Sequence, residues 1–267
     1  MIRPIMKSDN ELLVNREGPI CTITINRPEK LNALSPNCLI KMSKILNELS
    51  EDAKVRSVVI CGAGSKSFSS GYDIEALSVS ETIKTNKSRP IDLAIQSILA
   101  FPYPIIAMIN GYAYGAGCTI ALSCDIRVAS RNARIGMQNA KRGLVPSLDE
   151  LSLFIRIIGF SRTLEIFQTG RTYDSQQCLE MNLVNYVVDN DKLKSFTYDL
   201  AKELSENAPL ALRGTKIILN EIRYYPILPE EIVNKAQSLR VAANNSEDKE
   251  ESIRAFREKR KPRFKGR

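Results

Sequence analysis

Apolar and polar positions alternate with period two from Ile20 to Ile25, which predicts a strand. Ser35 and Pro36 then open a helix, the serine as N-cap and the proline at the first helical position, running to about Asp52. Val55 to Cys61 predicts a second strand, Gly62 to Ser70 a loop, and Tyr72 to Leu77 the start of a helix. Residues 78–90 are polar and read as a mobile loop. A helix over 91–100 is ended by Phe101-Pro-Tyr-Pro104. Ile126 to Ala129 predicts a strand, and a helix follows at about 148–158. Further short elements are expected over 162–169 and 174–181, then a strand from Tyr186 to Asp189. From Lys192 onward the pattern is helical. Strand–helix alternation followed by helices alone predicts an α/β core with a helical C-terminal appendage, and no repeat of fixed length is visible.

One stretch breaks the ordinary pattern. From Ile105 to Cys124 there is no charge, yet Asn110, Gly111, Gly115 and Gly117 interrupt the run. Ile105 to Ile109 reads as a buried strand, the asparagine and glycines as a turn, and the Ala/Leu/Cys stretch as a buried helix whose N-terminus points into that turn. Such a turn leaves backbone N–H groups free at a positive helix end, where they can hold an anion or a developing oxyanion. A purely structural strand–turn–helix fits the same residues. So does a membrane helix, although three glycines and an asparagine weaken that signal and no second span exists. The glycines at 111, 115 and 117 do not match the dinucleotide fingerprint. Gly62-Ala-Gly64-Ser-Lys66-Ser67 lacks the glycine before lysine that a phosphate loop requires.

Length and composition narrow the chemistry. The 267 residues suffice for one large domain, or a domain with an appendage. The first residues carry no apolar run long enough for a signal peptide, so a cytoplasmic protein is expected. Six cysteines (21, 38, 61, 118, 124 and 178) are scattered without a Cys-x-x-Cys pair and read as buried reduced thiols. The chain has no histidine, which removes the Ser-His-Asp triad, the usual Cys-His pair and the commonest general base near neutral pH. With no clustered ligands either, no metal is expected. Acid/base chemistry is left to Asp, Glu, Lys, Tyr, Cys or water.

The net charge of +8 is concentrated in the tail, where Arg254, Arg257, Lys259, Arg260, Lys261, Arg263, Lys265 and Arg267 face Glu258 alone. Such a tail suits a polyanionic ligand or a surface, and equally a solvated helix end complementing the helix dipole.

Together these segments resemble the crotonase superfamily, the enoyl-CoA hydratase/isomerase family. The resemblance rests on Ile23–Leu34, on Lys66–Ile74 as the first oxyanion-hole motif, and on Asn110–Cys118 with Cys124-Asp125 as the second. Gly143–Pro146, Gly159 with Ser161-Arg162, Thr169–Arg171, Leu183–Val188 and Phe256–Gly266 follow in the family's order. The resemblance implies a crotonase-like spiral of ββα units over residues 1–200 and a helical C-terminal trimerisation region over 201–267, in homotrimers or hexamers. It implies an acyl-CoA thioester as substrate, with no cofactor beyond that CoA. The thioester oxygen would be held by the backbone N–H groups of Tyr72 and Ala116. Lys30, Leu31, Ala33, Ser70, Gly71, Tyr72, Asp73 and Ile74 would line the CoA channel, with Gly115, Ala116, Thr119 and Asn139 completing the substrate-binding set. The basic tail could meet the CoA phosphates.

The chain departs from the family pattern at its proton-transfer positions. The two glutamates of family hydratases fall at Thr119 and Asn139, and a third acidic position used elsewhere in the family falls at Ser147. None of these side chains exchanges a proton near pH 7. Asp149 and Glu150 stand where many members carry paired glycines, and either could supply the missing carboxylate; first-turn acids favoured by the helix dipole are the plain alternative. Asp73 and Asp125 read as structural acceptors, Tyr72, Tyr112 and Tyr114 as core or lining residues, and Cys118 lacks an activator. The expected function is a lyase or isomerase working through a thioester enolate: hydration, isomerisation, C–C cleavage or decarboxylation. A catalytically silent acyl-CoA-binding protein and an RNA-binding homologue are the alternatives. With only Phe256 and Phe264 available for base stacking in the tail, nucleic acid is the weakest of these.

Overall fold

The structure is a computed structural model that describes residues 11–73, 89–224 and 229–267. The predicted helix start after Asp73 and most of the predicted polar loop lie outside those residues.

Two sheets grow side by side. The larger has six strands: β1 (Leu12–Glu17), β2 (Ile20–Ile25), β3 (Ser57–Gly62), β5 (Ile105–Ile109), β7 (Ile126–Ser130) and β10 (Tyr186–Val188), in the order β1-β2-β3-β5-β7-β10. Only β1 and β2 pair antiparallel; the rest are parallel. The smaller sheet takes β4 (Ser67–Ser69), β6 (Tyr112–Tyr114), β8 (Arg134–Gly136) and β9 (Thr172–Asp174) in that order. Three times in succession the chain therefore lays one strand in the large sheet and one in the small before a helix. α2 (Pro90–Ala100) follows β3 and β4, α3 (Ala116–Ser123) follows β5 and β6, and α4 (Leu148–Thr169) follows β7 and β8. These are the turns of a ββα spiral.

Local rules account for the long elements. β3 is buried at all six positions, as a central parallel strand covered on both faces must be. α1 (Pro36–Ser50) starts where expected: the Ser35 hydroxyl accepts from the Cys38 N–H, with Pro36 at the first helical position. Its buried stripe of Leu39, Met42, Leu46 and Leu49 has the helical period and packs into the main core. Each such side chain contributes roughly 1.5–3 kcal/mol by leaving water.

Several expectations need correcting. The three-residue strands β4, β6, β8 and β9 are not predicted: β4 lies in the expected loop and β6 in the expected turn. The helix expected at 148–158 resumes beyond a break at Gly159, whose φ is +78°, and ends at Thr169. α5 (Ser175–Glu180) is shorter than expected and is preceded by β9. The apolar run from 105 to 124 resolves into β5, β6 and α3. Among the described residues no helix is long and apolar enough to cross a membrane.

The expected boundary at 200/201 falls inside α6 (Leu193–Glu206). This helix lies on the large sheet, with Leu193 and Ala201 packed against Val59, Ile106 and Val128. The helices that follow are α7 (Pro209–Tyr224), α8 (Glu230–Asn244) and α9 (Glu247–Arg257). α7 is tied back to the core: Lys216 Nζ donates to the Tyr103 carbonyl at 2.9 Å and to Asp125 Oδ2 at 2.6 Å, and Asn220 donates to the Leu99 carbonyl.

Candidate active site

Two backbone N–H groups define the site. Leu34 and Tyr72 form an isolated parallel bridge. Its bonds run from the Leu34 N–H to the Gly71 carbonyl (2.8 Å) and from the Asp73 N–H to the Leu34 carbonyl (3.0 Å). Successive peptide groups of an extended segment point to opposite sides, so the Tyr72 N–H faces away from Leu34. On that far side lies the start of α3. A Cβ on Gly71 would sit 2.8 Å from the Tyr114 carbonyl oxygen and 3.5 Å from the Ala116 nitrogen. Only glycine, here at φ +99°, lets the two segments approach this closely.

Ala116 is the first residue of α3, with Gly115 before it at φ +49° and no capping side chain. The first N–H groups of a helix have no partner within it, and the positive end of the dipole lies there. Among the described residues neither the Tyr72 nor the Ala116 N–H meets an acceptor. The next glycine is equally constrained, since a Cβ on Gly117 would meet the Ser69 carbonyl at 2.6 Å. The Asn/Gly-rich stretch is thus the close-packed seam between β4 and α3.

The expected CoA-channel residues are brought together. Residues 28–30 form one turn of 3-10 helix, and Leu31 and Asn32 follow at φ +51° and +57°. The Asn32 side chain permits this bend: its oxygen accepts from the Arg27 N–H, and its amide donates to the Ala63 and Ser67 carbonyls. The Ser70 N–H donates to the Leu31 carbonyl and the Ser70 hydroxyl reaches that of Lys30, so residues 30–34 and 70–73 lie edge to edge. Lys30 and Leu31 are exposed, Ala33 and Gly71 buried. Asp73 is 6% exposed and accepts from Arg27 Nη2 at 2.7 Å, with Lys30 Nζ at 3.7 Å. It is a structural acceptor, as is Asp125, which accepts from the Ile105 N–H and from Lys216. Ile74 lies outside the described residues.

The proton-transfer candidates separate clearly. Thr119 is fully buried on α3. Its hydroxyl is 3.2 Å from the Gly115 carbonyl oxygen and 2.7 Å from Glu150 Oε1. Glu150 sits in the first turn of α4, where its own N–H bonds the N-cap hydroxyl of Ser147. The sequence Ser147-x-x-Glu150 has the spacing of a capping box, which would turn the carboxylate back to the Ser147 N–H. It turns instead across the gap to α3. Burial pushes the Glu150 carboxyl above its ordinary range, against the opposing pull of the Thr119 hydrogen bond and of Arg89. Asp149, one residue earlier, is exposed to solvent and makes no such contact. Asn139 is half-buried at the head of a short 3-10 turn (Ala140–Arg142), and its carbonyl accepts from the Arg142 and Leu144 N–H groups.

Two neighbours of Glu150, Arg89 and Asp92, carried no sequence signal. Arg89 N-caps α2 and holds Asp92 through Nε (2.9 Å) and Nη2 (2.8 Å), and both charges act on Glu150. Burial raises the phenol pKa of Tyr72, which is supported by the Ile91 backbone and lies within the field of Arg89 and Glu150. The Cys118 thiol is fully buried and driven well above its ordinary range by burial, which leaves it inert.

The basic tail is less free than its composition suggests. Glu251 accepts from Arg254, from Arg260 and from the Arg263 N–H, while Asp248 accepts from the Lys265 and Gly266 N–H groups. Acids just upstream in α9 fold residues 260–267 back on that helix.

Comparison with known proteins agrees with this architecture. The family model described as enoyl-CoA hydratase/isomerase matches residues 15–267. A short-chain-enoyl-CoA hydratase of Clostridium acetobutylicum is 32% identical over 94% of this chain and 96% of its own. A 2,3-dehydroadipyl-CoA hydratase of Escherichia coli is 33% identical over 97% of this chain and its own full length. The crystal structure of an enoyl-CoA hydratase/carnithine racemase from Magnetospirillum magneticum superposes with a TM-score of 0.88 at 30% identity, covering 97% of each chain. The chain belongs to the enoyl-CoA hydratase/isomerase family.

Proposed function

We propose that this protein binds an acyl-CoA thioester and forms its enolate in the gap between Tyr72 and Ala116. The observation that carries this reading is the pair of backbone N–H groups without acceptors among the described residues, brought together by the side-chain-free contact at Gly71. A thioester carbonyl placed between them would gain two hydrogen bonds that strengthen as its oxygen becomes anionic, each worth about 3–4 kcal/mol in the transition state. Residues 30–34 and 70–73 offer an edge along which the CoA chain can run, and the curated relatives act on enoyl- and dehydroadipyl-CoA by name. The reaction class is a lyase or isomerase step through that enolate.

The test is incubation of purified protein with saturated, unsaturated, hydroxylated and carboxylated acyl-CoAs, reading bound complex and product by mass spectrometry. Micromolar binding with product from at least one supports the reading. Absence of binding across the panel overturns it.

A further inference from the structure

The family resemblance implies that the hydratase glutamates fall at Thr119 and Asn139, neither of which can move a proton. Yet the buried hydroxyl of Thr119 is spent on a carboxylate delivered from a different helix. We propose that Glu150 is the proton-transfer group of this site, with Thr119 as the residue that positions it. This rests on the thioester reading above.

Three observations carry it. The first is placement: Thr119 lies one turn into the helix whose first N–H, that of Ala116, faces the gap, so a carboxylate on Thr119 is within a helical turn of the oxyanion position. The second is orientation: Glu150 forgoes the local bond to the Ser147 N–H that its spacing offers and turns to α3 instead.

The third is that the contact suits both protonation states. When Glu150 is ionised, the Thr119 hydroxyl donates to it at 2.7 Å. When Glu150 is neutral it can donate to Thr119 Oγ, whose own proton then turns to the Gly115 carbonyl at 3.2 Å. A group that must alternate between acid and base is satisfied in each form. Among the described residues the other charged or titratable groups that act on Glu150 are Arg89 and Asp92 of α2; Tyr72 and Cys118 are neutral.

The step balances without a co-reactant. Ionised Glu150 removes a proton from the carbon next to the thioester carbonyl. The C–H electron pair enters the new C=C bond, and the carbonyl pair moves onto the oxygen held by Tyr72 and Ala116. The neutral carboxyl then returns the proton to carbon. In D2O that carboxyl exchanges, so deuterium is returned.

The experiment uses butyryl-CoA in D2O across a pH series, with mass gain in the acyl group as the exchange readout and calorimetry for binding. Wild type should exchange. Glu150→Gln should keep its affinity within a few-fold and lose exchange by roughly 100-fold or more. Glu150→Asp should fall between them. The base must be ionised, so exchange should rise with pH through the Glu150 pKa. Thr119→Val, which removes a bond favouring the ionised form, should move that limb to higher pH. Unchanged exchange in Glu150→Gln, loss in Asp149→Asn with Glu150→Gln unaffected, or an unmoved limb in Thr119→Val would each overturn the assignment and leave the thioester reading intact, while a wild type that binds without exchanging would overturn the assignment and the enolate step and leave thioester binding alone. Failure to bind would remove both.

Discussion

The Thr119 hydroxyl and Glu150 Oε1 lie 2.7 Å apart, joining the buried helix α3 to the first turn of α4. The two residues are 31 positions apart in sequence, and no local motif pairs them.

Gly71→Ala should disable the site more than the fold. The new methyl would press on the Tyr114 carbonyl at 2.8 Å, and φ +99° disfavours any side chain. Displacing either N–H donor is expected to lower turnover by about 10²–10³-fold. Steady-state kinetics on the best acyl-CoA, alongside a thermal melt, would separate this from simple unfolding. Wild-type kcat in the variant would refute it.

Asp73→Ala should destabilise, because the Arg27 guanidinium, 12% exposed, loses its 2.7 Å partner and is left with Glu11 at 3.3 Å and the Ala33 carbonyl. Removing one member of a buried pair costs about 3–5 kcal/mol, which for a chain of this size is a fall in Tm of at least ~6 °C. The double variant Arg27→Leu/Asp73→Leu should recover part of that loss. Calorimetry of the three proteins decides the matter; equal melting of Asp73→Ala and wild type would count against it.

Lys216→Met should loosen α7 from the core. The ammonium, 10% exposed, bridges the Tyr103 carbonyl and Asp125, and hydrogen bonds to charged groups contribute about 1.5–3 kcal/mol each. Hydrogen exchange should accelerate over residues 209–224 and at Ile105, whose N–H shares the same Asp125 oxygen. Uniform exchange across both proteins would show that α7 is held by other contacts.

Glu251 sets the pH range over which the tail stays folded back. Its carboxyl is held well below the ordinary range, first by the Arg260 hydrogen bonds and then by Arg254. A depressed folded pKa contributes stability above the unfolded value, and that contribution is lost only as pH falls through the folded one. Residues 260–267 should therefore remain protected from hydrogen exchange at pH 4, where an ordinary glutamate is already half neutral. Glu251→Gln should lose that protection at pH 7. Early loss in wild type between pH 6 and 5 would contradict the assignment.

Much of the fold was legible because its long elements follow local rules. The Ser35–Pro36 helix start, the alternation of β2 and the apolar β5 each carry their own signal. The glycines at 111, 115 and 117 carried a turn signal, but the close approaches at Gly71 and Gly117 exist only where β4 and α3 meet in space. The three-residue strands β4, β6, β8 and β9 carried no signal, because a strand that short shows no period and exists only by pairing with its neighbours. The fold-back of the tail onto α9 was not legible for a related reason. Counting from Arg254 leaves Glu258 as its only acid, whereas Glu251 and Asp248, one and two turns earlier on α9, take up its charge and backbone.

At the site, the chain by itself determined which chemistries are unavailable and which turns could present free N–H groups. The absence of histidine, and of a carboxylate at 119 and 139, are facts of composition and order. Which of Asp149 and Glu150 meets Thr119 was decided by tertiary structure alone. Adjacent residues on a helix point about 100° apart, so one faces water while the other crosses to Thr119. That direction depends on how α4 is docked against α3, which no spacing along the chain encodes.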